Sequence, residues 1–374
     1  MITIKQVETK KEQREFVRFP LDLYKGNKYY VPMMYGGEFD IFKPDYPFNK
    51  ICDTVCFLAY RDGKVVGRLH GIIQNDANKK WNRKQARFTR FDSIDDESVS
   101  KTLFESFEKW AAEHGMEEMI GPLGFSDFER EGLLIDGFET LQTYEEQYNY
   151  PYYQKLIEAY GFDKDVDWLE YKLFASEETE DKLFALSEKL MKRFGLTSHQ
   201  AGSTRELIDK YIYKLLHIIE EAYSPLYGTV PLNQETIEYY IKDFKTLVRP
   251  QDVITLHDKD DNVVAAGMMF PSISDAVRLS RGHITPAFLY RFLRAKKHPK
   301  VLDLGLIGVA PEYESKGIVA ILIGILIDRL RNKGVEHLET NLILEDNVKM
   351  HNLLKHFNKQ YSKRRRCFKK PVEL

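Results

Sequence analysis

The sequence predicts an α/β protein built from two tandem copies of one mixed-sheet domain. Three observations predict it. An apolar strand, a Pro-containing polar loop and an apolar helix follow one another between Leu304 and Leu326. A hairpin of alternating apolar residues occurs in each half of the chain. Each half also runs through a helix that ends in glycine and passes into a further strand.

Taken in order, Met1–Val7 alternates like a strand and does not read as a signal peptide. Val55–Ile72 reads as two strands joined by Asp62-Gly63, a turn pair suited to a tight hairpin. Phe107–Ile120 reads as a helix closed by Gly115, then a strand. Tyr152–Phe162 reads as a short helix, with a strand from Trp168. The charged run Ser176–Asp181 has no apolar period, so the boundary falls there, giving domains 1–175 and 176–374. The second half repeats the pattern. Helices are expected at Thr204–Tyr223 and Gln234–Leu247, a hairpin at Asp252–Met269, and an extra helix at Phe288–Lys296. The helix after the Pro loop ends at Gly334. Met350–Phe357 reads as a short helix and Tyr361–Lys370 as the last strand.

Composition bounds the function. The chain has 374 residues, 43% of them hydrophobic, enough for two cores. Its net charge of −2 gives no overall attraction to nucleic acid or to an anionic membrane. Cys52, Cys56 and Cys367 are too few and too scattered for a disulfide framework or a zinc site, so no metal is expected. The longest apolar stretch, Ile318–Ile327, is too short to span a bilayer. A cytoplasmic protein with no membrane partner is expected.

Val309, Pro311, Lys316, Gly317 and Ile318 resemble the acyl-CoA-binding loop of the GNAT acetyltransferase superfamily. The family pattern is Val-x-Pro, a short gap, then Gln/Arg-x-x-Gly-x-Gly/Ala. Glu314 stands where that pattern has Gln or Arg, and Val319 where it has Gly or Ala. Tyr152–Phe162 resembles the helix that closes such a domain. Gly121-Pro-Leu-Gly-Phe-Ser and Asp136-Gly-Phe resemble hallmarks of an uncharacterised bacterial tandem-GNAT family.

The resemblance implies an acyl-CoA-dependent N-acyltransferase. Acetyl-CoA or another acyl-CoA would be the co-substrate, and a small-molecule or peptide amine the acceptor. It implies that Val309, Lys316, Gly317, Ile318 and Val319 hold the CoA, with main-chain N–H groups at the helix start facing the pyrophosphate. Asn347 would touch the pantetheine arm, or simply cap the following helix. Near Val309 the main chain would polarise the thioester carbonyl. In the family a carboxylate six residues earlier on the same face often serves as base. Asp303 occupies that place and by period two shares a face with 305, 307 and 309, so it is either the candidate general base, acting through a water, or a solvated residue at the strand start. The first half carries Asp95-Asp-Glu at the matching helix start, so it would shape the cleft rather than bind CoA. Leu353-Leu354 occupy the place of the family's thiolate-protonating Tyr; Tyr361 and His351 lie nearby in sequence.

Three other segments were candidates for the cleft or a partner. Tyr144–Tyr153 is dense in aromatics and either lines the cleft or packs on a sheet. Arg281-Gly-His283 either faces the cleft or is a surface turn. The basic tail Lys363–Lys370 reads as a terminal strand with cationic edges rather than a nucleic-acid site. Two alternatives to acetyl transfer remain: an aminoacyl or long-chain acyl transferase, and a non-catalytic protein that binds a CoA ester.

Overall fold

The computed structural model describes residues 1–175, 177–332 and 334–373. The first half contains β1 (Ile2–Gln6), α1 (Lys10–Leu23), β2 (Cys52–Arg61), β3 (Lys64–Gln74), α2 (Asn75–Trp81), β4 (Gln85–Ser93), α3 (Glu97–Glu113), β5 (Glu118–Gly121), β6 (Leu133–Asp136), α4 (Tyr152–Ala159) and β7 (Asp163–Phe174). Helix α5 (Glu177–Phe194) leads into the second half. There follow β8 (Thr197–His199), α6 (Thr204–Glu206), α7 (Ile212–Tyr223), α8 (Gln234–Leu247), β9 (Val253–His257) and β10 (Val263–Pro271). Next come α9 (Ser274–Ser280), α10 (Pro286–Lys297), β11 (Val301–Val309), α11 (Val319–Asn332), β12 (His337–Glu339), β13 (Ile343–Leu344), α12 (Val348–Leu353) and β14 (Asn358–Pro371). The expected hairpins, glycine-capped helices and extra helix are all present. Asp62 and Gly63 both take positive φ at the first hairpin, and Gly115 and Gly334 do so after α3 and α11.

All strands join one sheet, in the order β1-β2-β3-β4-β5-β14-β7-β12-β11-β10-β9-β8, with β6 on β14 and β13 on β7. The two halves are related strand for strand about the central β14–β7 pair. Five strands of each half lie on one side of this pair, and each five-strand set is completed by the other half's last strand. Thus β14 pairs with β5 and β6 of the first half, while β7 pairs with β12 and β13 of the second. The expected boundary between 175 and 176 falls on Ser176, outside the described residues.

The exchange corrects the reading of the basic tail as an edge. β14 is central, and its cations pair with carboxylates inside the sheet. Lys363 Nζ lies 3.0 Å from Glu170 Oε2 and Arg365 Nε 2.5 Å from Glu170 Oε1, with both cations buried. Arg366 meets Asp167 at 2.7 Å, and Lys370 meets Glu108 at 2.8 Å. Buried charges of this kind persist only when paired and hydrogen-bonded.

Each half has its own apolar core. In the first, α3 and α4 bury Phe104, Phe107 and Tyr153 against Phe88 and Phe91 of β4. In the second, α11 buries Ile321, Leu322 and Leu326 against Leu302, Leu304 and Val309 of β11, with α5 on its outer side.

Candidate active site

Strands β11 and β12 run parallel for only three residue pairs. The last pair is Asp303 with Glu339; beyond it the strands separate. Asn341 spans the opening, its Nδ2 donating to the Gly305 carbonyl at 3.4 Å. Just past Asp303 the pairing with β10 shifts register. Gly267 faces Ile307, but Met269 faces Leu304, so Gly305 and Leu306 together oppose Met268. This is a β-bulge, which takes main-chain groups out of the ladder beside the β11–β12 opening. It also breaks the expected parity. Leu302, Leu304, Ile307 and Val309 all face the core under α11, whereas Leu306 packs on the α7 side. Asp303 therefore does not share a face with 307 and 309, because the extra residue rotates the strand by one position.

Asp303 is only 4% exposed, and its Oδ1 has no hydrogen-bond partner among the described residues. Burial, and then the facing Glu339, push its carboxyl up to about 8; a Ser272 hydrogen bond and the Lys363 charge oppose this. The carboxyl borders a cavity of about 1130 Å³ lined by both halves. One wall is apolar, made by Met268, Phe270, Ile273, Phe288, Phe292 and Leu306. The other carries Glu131, Glu145 and Glu146 from the first half. Burial pushes Glu146 up to about 8 although Arg365 lies beside it, and pushes Glu131 well above the usual carboxylate range. Carboxyl groups that hold their protons near neutral pH in a cleft mark a site able to exchange protons with a ligand.

The Pro loop lies next to this cavity through α12. Gly317 takes φ +74 between the loop and α11, a conformation that suits glycine. Lys316 is exposed and its ammonium stands 4.3 Å from the Tyr313 ring centre. Ile318 is fully buried, and Val319 opens α11 packed against the second core. Glu314 does not stand as a lone negative charge, because Lys349 Nζ lies 2.9 Å from its Oε2. Asn347 caps α12, its Oδ1 accepting from Met350 N–H at 3.0 Å, and it lines the cavity as well. One short helix thus borders both the loop and the cavity.

The first half differs at the equivalent places. Asp96 caps α3 with its own carboxylate, accepting from Ser98 N–H at 2.9 Å and pairing with Arg61 at 2.7 Å. Its β4–β5 opening is bridged by main chain, Leu123 N–H donating to the Phe88 carbonyl at 2.9 Å.

Asp303 and Asn347 therefore meet at the cavity, while Lys316–Val319 lie beyond α12 and Val309 is in the core. The aromatic loop has both expected roles: Tyr144 and Tyr148 line the cavity, and Tyr152 and Tyr153 pack on β4. Arg281 and His283 brace the first half, donating to Leu21 O at 2.8 Å and stacking on Tyr35 at 4.5 Å, respectively. Leu354 is buried, Tyr361 donates to Asp136, and His351 contacts the Leu344 carbonyl. Sequence reasoning missed Tyr223, Glu131 and Glu146. Tyr223 accepts the Ile307 N–H at 3.3 Å beside the bulge. No local spacing links residues so distant in sequence; only the fold brings them together. Among the described residues, no helix is long and apolar enough to cross a membrane.

Comparison with known proteins agrees with this architecture. Residues 212–358 match the acetyltransferase (GNAT) family model. Protein YghO of Escherichia coli is 25% identical over 97% of this chain and 94% of its own length. A bacterial ceramide synthase of Caulobacter vibrioides is 23% identical over 99% of this chain and 98% of its own. Among solved structures, a tandem GNAT protein from the clavulanic acid biosynthesis pathway superposes with a TM-score of 0.56. It is 11% identical, covering 100% of this chain and 99% of the other. The second half thus matches the GNAT family, and the whole chain has the fold of a tandem GNAT protein.

Proposed function

We propose that this chain is an acyl-CoA-dependent N-acyltransferase whose acceptor is a long-chain amphiphilic amine. The observation that carries the reading is the buried Asp303 carboxyl at the β11–β12 opening, its Oδ1 without a hydrogen-bond partner among the described residues, facing a large half-apolar cavity. Its volume, about 1130 Å³, exceeds the range of about 300–1,000 Å³ usual for small-molecule sites. An amine with a long hydrocarbon chain would use the wall of Phe270, Phe288 and Phe292. A short polar amine would leave it wet. The similarity to a ceramide synthase supports the same reading, since a ceramide is the amide of a long-chain amino alcohol and a fatty acid.

In this reading the second half holds acyl-CoA. Main-chain N–H groups around Lys316–Val319 face the pyrophosphate, and Asn347 borders the pantetheine arm. The acceptor lies between the halves with its nitrogen toward Asp303. Asp303 takes the amine proton as nitrogen attacks the thioester carbonyl. The oxyanion is met by main chain near the bulge at Gly305–Leu306. Collapse of the intermediate breaks the C–S bond. Tyr223, kept protonated by burial, is the candidate donor to the departing thiolate. The products are the amide and free CoA.

The test is thiol release by the full chain with acetyl- and palmitoyl-CoA against straight-chain amines of increasing length. Each buried methylene contributes about 0.8 kcal/mol, so kcat/KM should rise about fourfold per methylene until the wall is covered. A preference for short polar amines would overturn the acceptor class. CoA-ester binding without thiol release from any pair would favour the non-catalytic alternative.

A further inference from the structure

The hairpin of α9 and α10 departs from the sheet between β10 and β11. Its inner side is seated on the first half, with Val277 and Phe288 packed around Val31. The seat is tight. Tyr35 N–H donates to the Gly282 carbonyl at 2.8 Å, and a Cβ at Gly282 would come within 2.3 Å of the Met33 carbonyl oxygen. The outer side is different. Leu279, Ile284, Leu289, Tyr290 and Leu293 are 47–72% exposed. They are five of the eleven large apolar side chains exposed among the described residues, gathered within 15 positions.

Cations surround this patch. Residues 274–300 hold seven Lys or Arg and one acid, Asp275, in a chain of net charge −2. Arg281, Arg294, Lys297 and Lys300 are exposed, with Arg281 3.8 Å from Asp22 and Lys300 3.0 Å from Glu336, so the cationic character of the rim rests on Arg294 and Lys297. An apolar ridge rimmed by cations suits the headgroup region of an anionic bilayer, where side chains bury in the acyl boundary and cations meet lipid phosphates. The overall charge, which predicted no membrane partner, averages this local excess away. The ridge is also continuous with the cavity: Ile284 and Leu289 belong to the exposed patch and to the cavity lining alike.

We propose that the α9–α10 hairpin docks the protein on anionic phospholipid bilayers and sets the cavity mouth against the lipid. The purpose rests on the long-chain acceptor proposed above, because such an amine resides in a bilayer rather than in water. The docking itself rests on the ridge and its charges.

Flotation of the full chain with vesicles of phosphatidylcholine, alone or with about one third phosphatidylglycerol, tests it. The protein should float with the anionic vesicles and stay behind with the neutral ones. Tyr290→Glu/Leu293→Glu and Arg294→Glu/Lys297→Glu should each reduce flotation about tenfold or more, with unchanged melting temperature. Neither pair lines the cavity, so thiol release with a short, water-soluble amine should be retained. No flotation of the parent protein, or equal flotation of the variants, would overturn docking. So would a dimer that Leu293→Glu dissociates with no vesicle binding, which would make the ridge a self-contact. In the parent protein, turnover without flotation removes docking alone; flotation without turnover removes the acyl-transfer reading alone.

Discussion

Arg87 and Asp303 occupy equivalent positions in the two halves. Each is the last paired residue of a three-residue parallel ladder, Arg87 facing Ile120 and Asp303 facing Glu339, and beyond each the strands part. The buried cation ties the halves together, its guanidinium donating to the Gly124 carbonyl at 3.3 Å and to Gly228 at 3.1 Å. The buried acid has an oxygen with no partner and a cavity in front of it. One position carries a structural cation, and its counterpart a carboxyl that borders the cavity.

Asp303→Asn should lower kcat about 10²- to 10⁴-fold while acyl-CoA affinity stays within about twofold. The base acts only when deprotonated, and its pKa is raised to about 8. Parent activity should therefore rise with pH through about 8, and the variant should lack that limb. A stopped-time thiol assay across pH 6–10 checks both. An unchanged limb would remove Asp303 from the mechanism.

The same substitution should change how stability depends on pH. The folded carboxyl titrates near 8, above its unfolded value near 3.9, so between these pH values the folded state holds the extra proton. The parent's stability contribution from this group is full below the lower value and is lost as pH rises through about 8. Thermal melts should show Asp303→Asn more stable than the parent at pH 9, with the gap closing toward pH 5.

Arg87→Ala should cost about 2–4 kcal/mol in urea denaturation, because two carbonyls lose their donor and a cavity opens. The pH profile of the remaining activity should not move. A shifted profile would give Arg87 a part in the chemistry.

Glu170→Gln should cost about 3–5 kcal/mol, since it leaves Lys363 and Arg365 buried with less opposing charge. Glu170 is held below the usual carboxylate range by these cations despite its burial, so the pair's contribution is present above the unfolded Glu value and lost on acidification. The variant's deficit should shrink in melts at pH 3.

The Glu314–Lys349 pair gives a test of the loop. Lys349→Glu should weaken acyl-CoA binding about tenfold in calorimetry by doubling the negative charge beside Lys316. Adding Glu314→Lys should restore it. Gly317→Glu should abolish binding, because the position is left-handed and the new charge opposes the phosphate.

Much of the fold was legible locally. Asp62-Gly63 sets a hairpin, Gly115 and Gly334 stop helices, and the run from Val301 to Val309 reads as a strand, because each signal acts over a few residues. The destination of β14 was not legible. Lys363–Lys370 looks like a solvated edge until Glu170, Asp167 and Glu108 are brought against it, and those contacts span nearly 200 positions or more. The site divides in the same way. Asp303 stands out by its spacing before Val309, and Asn347 by its place just before the last helix. Tyr223 and Glu146 do not, since topology alone brings them to the cavity. The bulge at Gly305–Leu306 leaves no mark in an apolar run, and so the parity drawn through it failed.

The crossing of β7 and β14 has a consequence for how the chain is made. A nascent chain that has emerged only to residue 175 has five strands whose sixth neighbour has not been synthesised. The edge of β5 must wait, through the translation of the entire second half, for residues 358–371. Local pieces such as the β2–β3 hairpin and α3 can form early, but the first half reaches its final hydrogen-bonding only when the last strand slides in beside β7. The two halves have a common finishing step, and a ribosome stalled between them would display an open strand edge to every neighbouring chain.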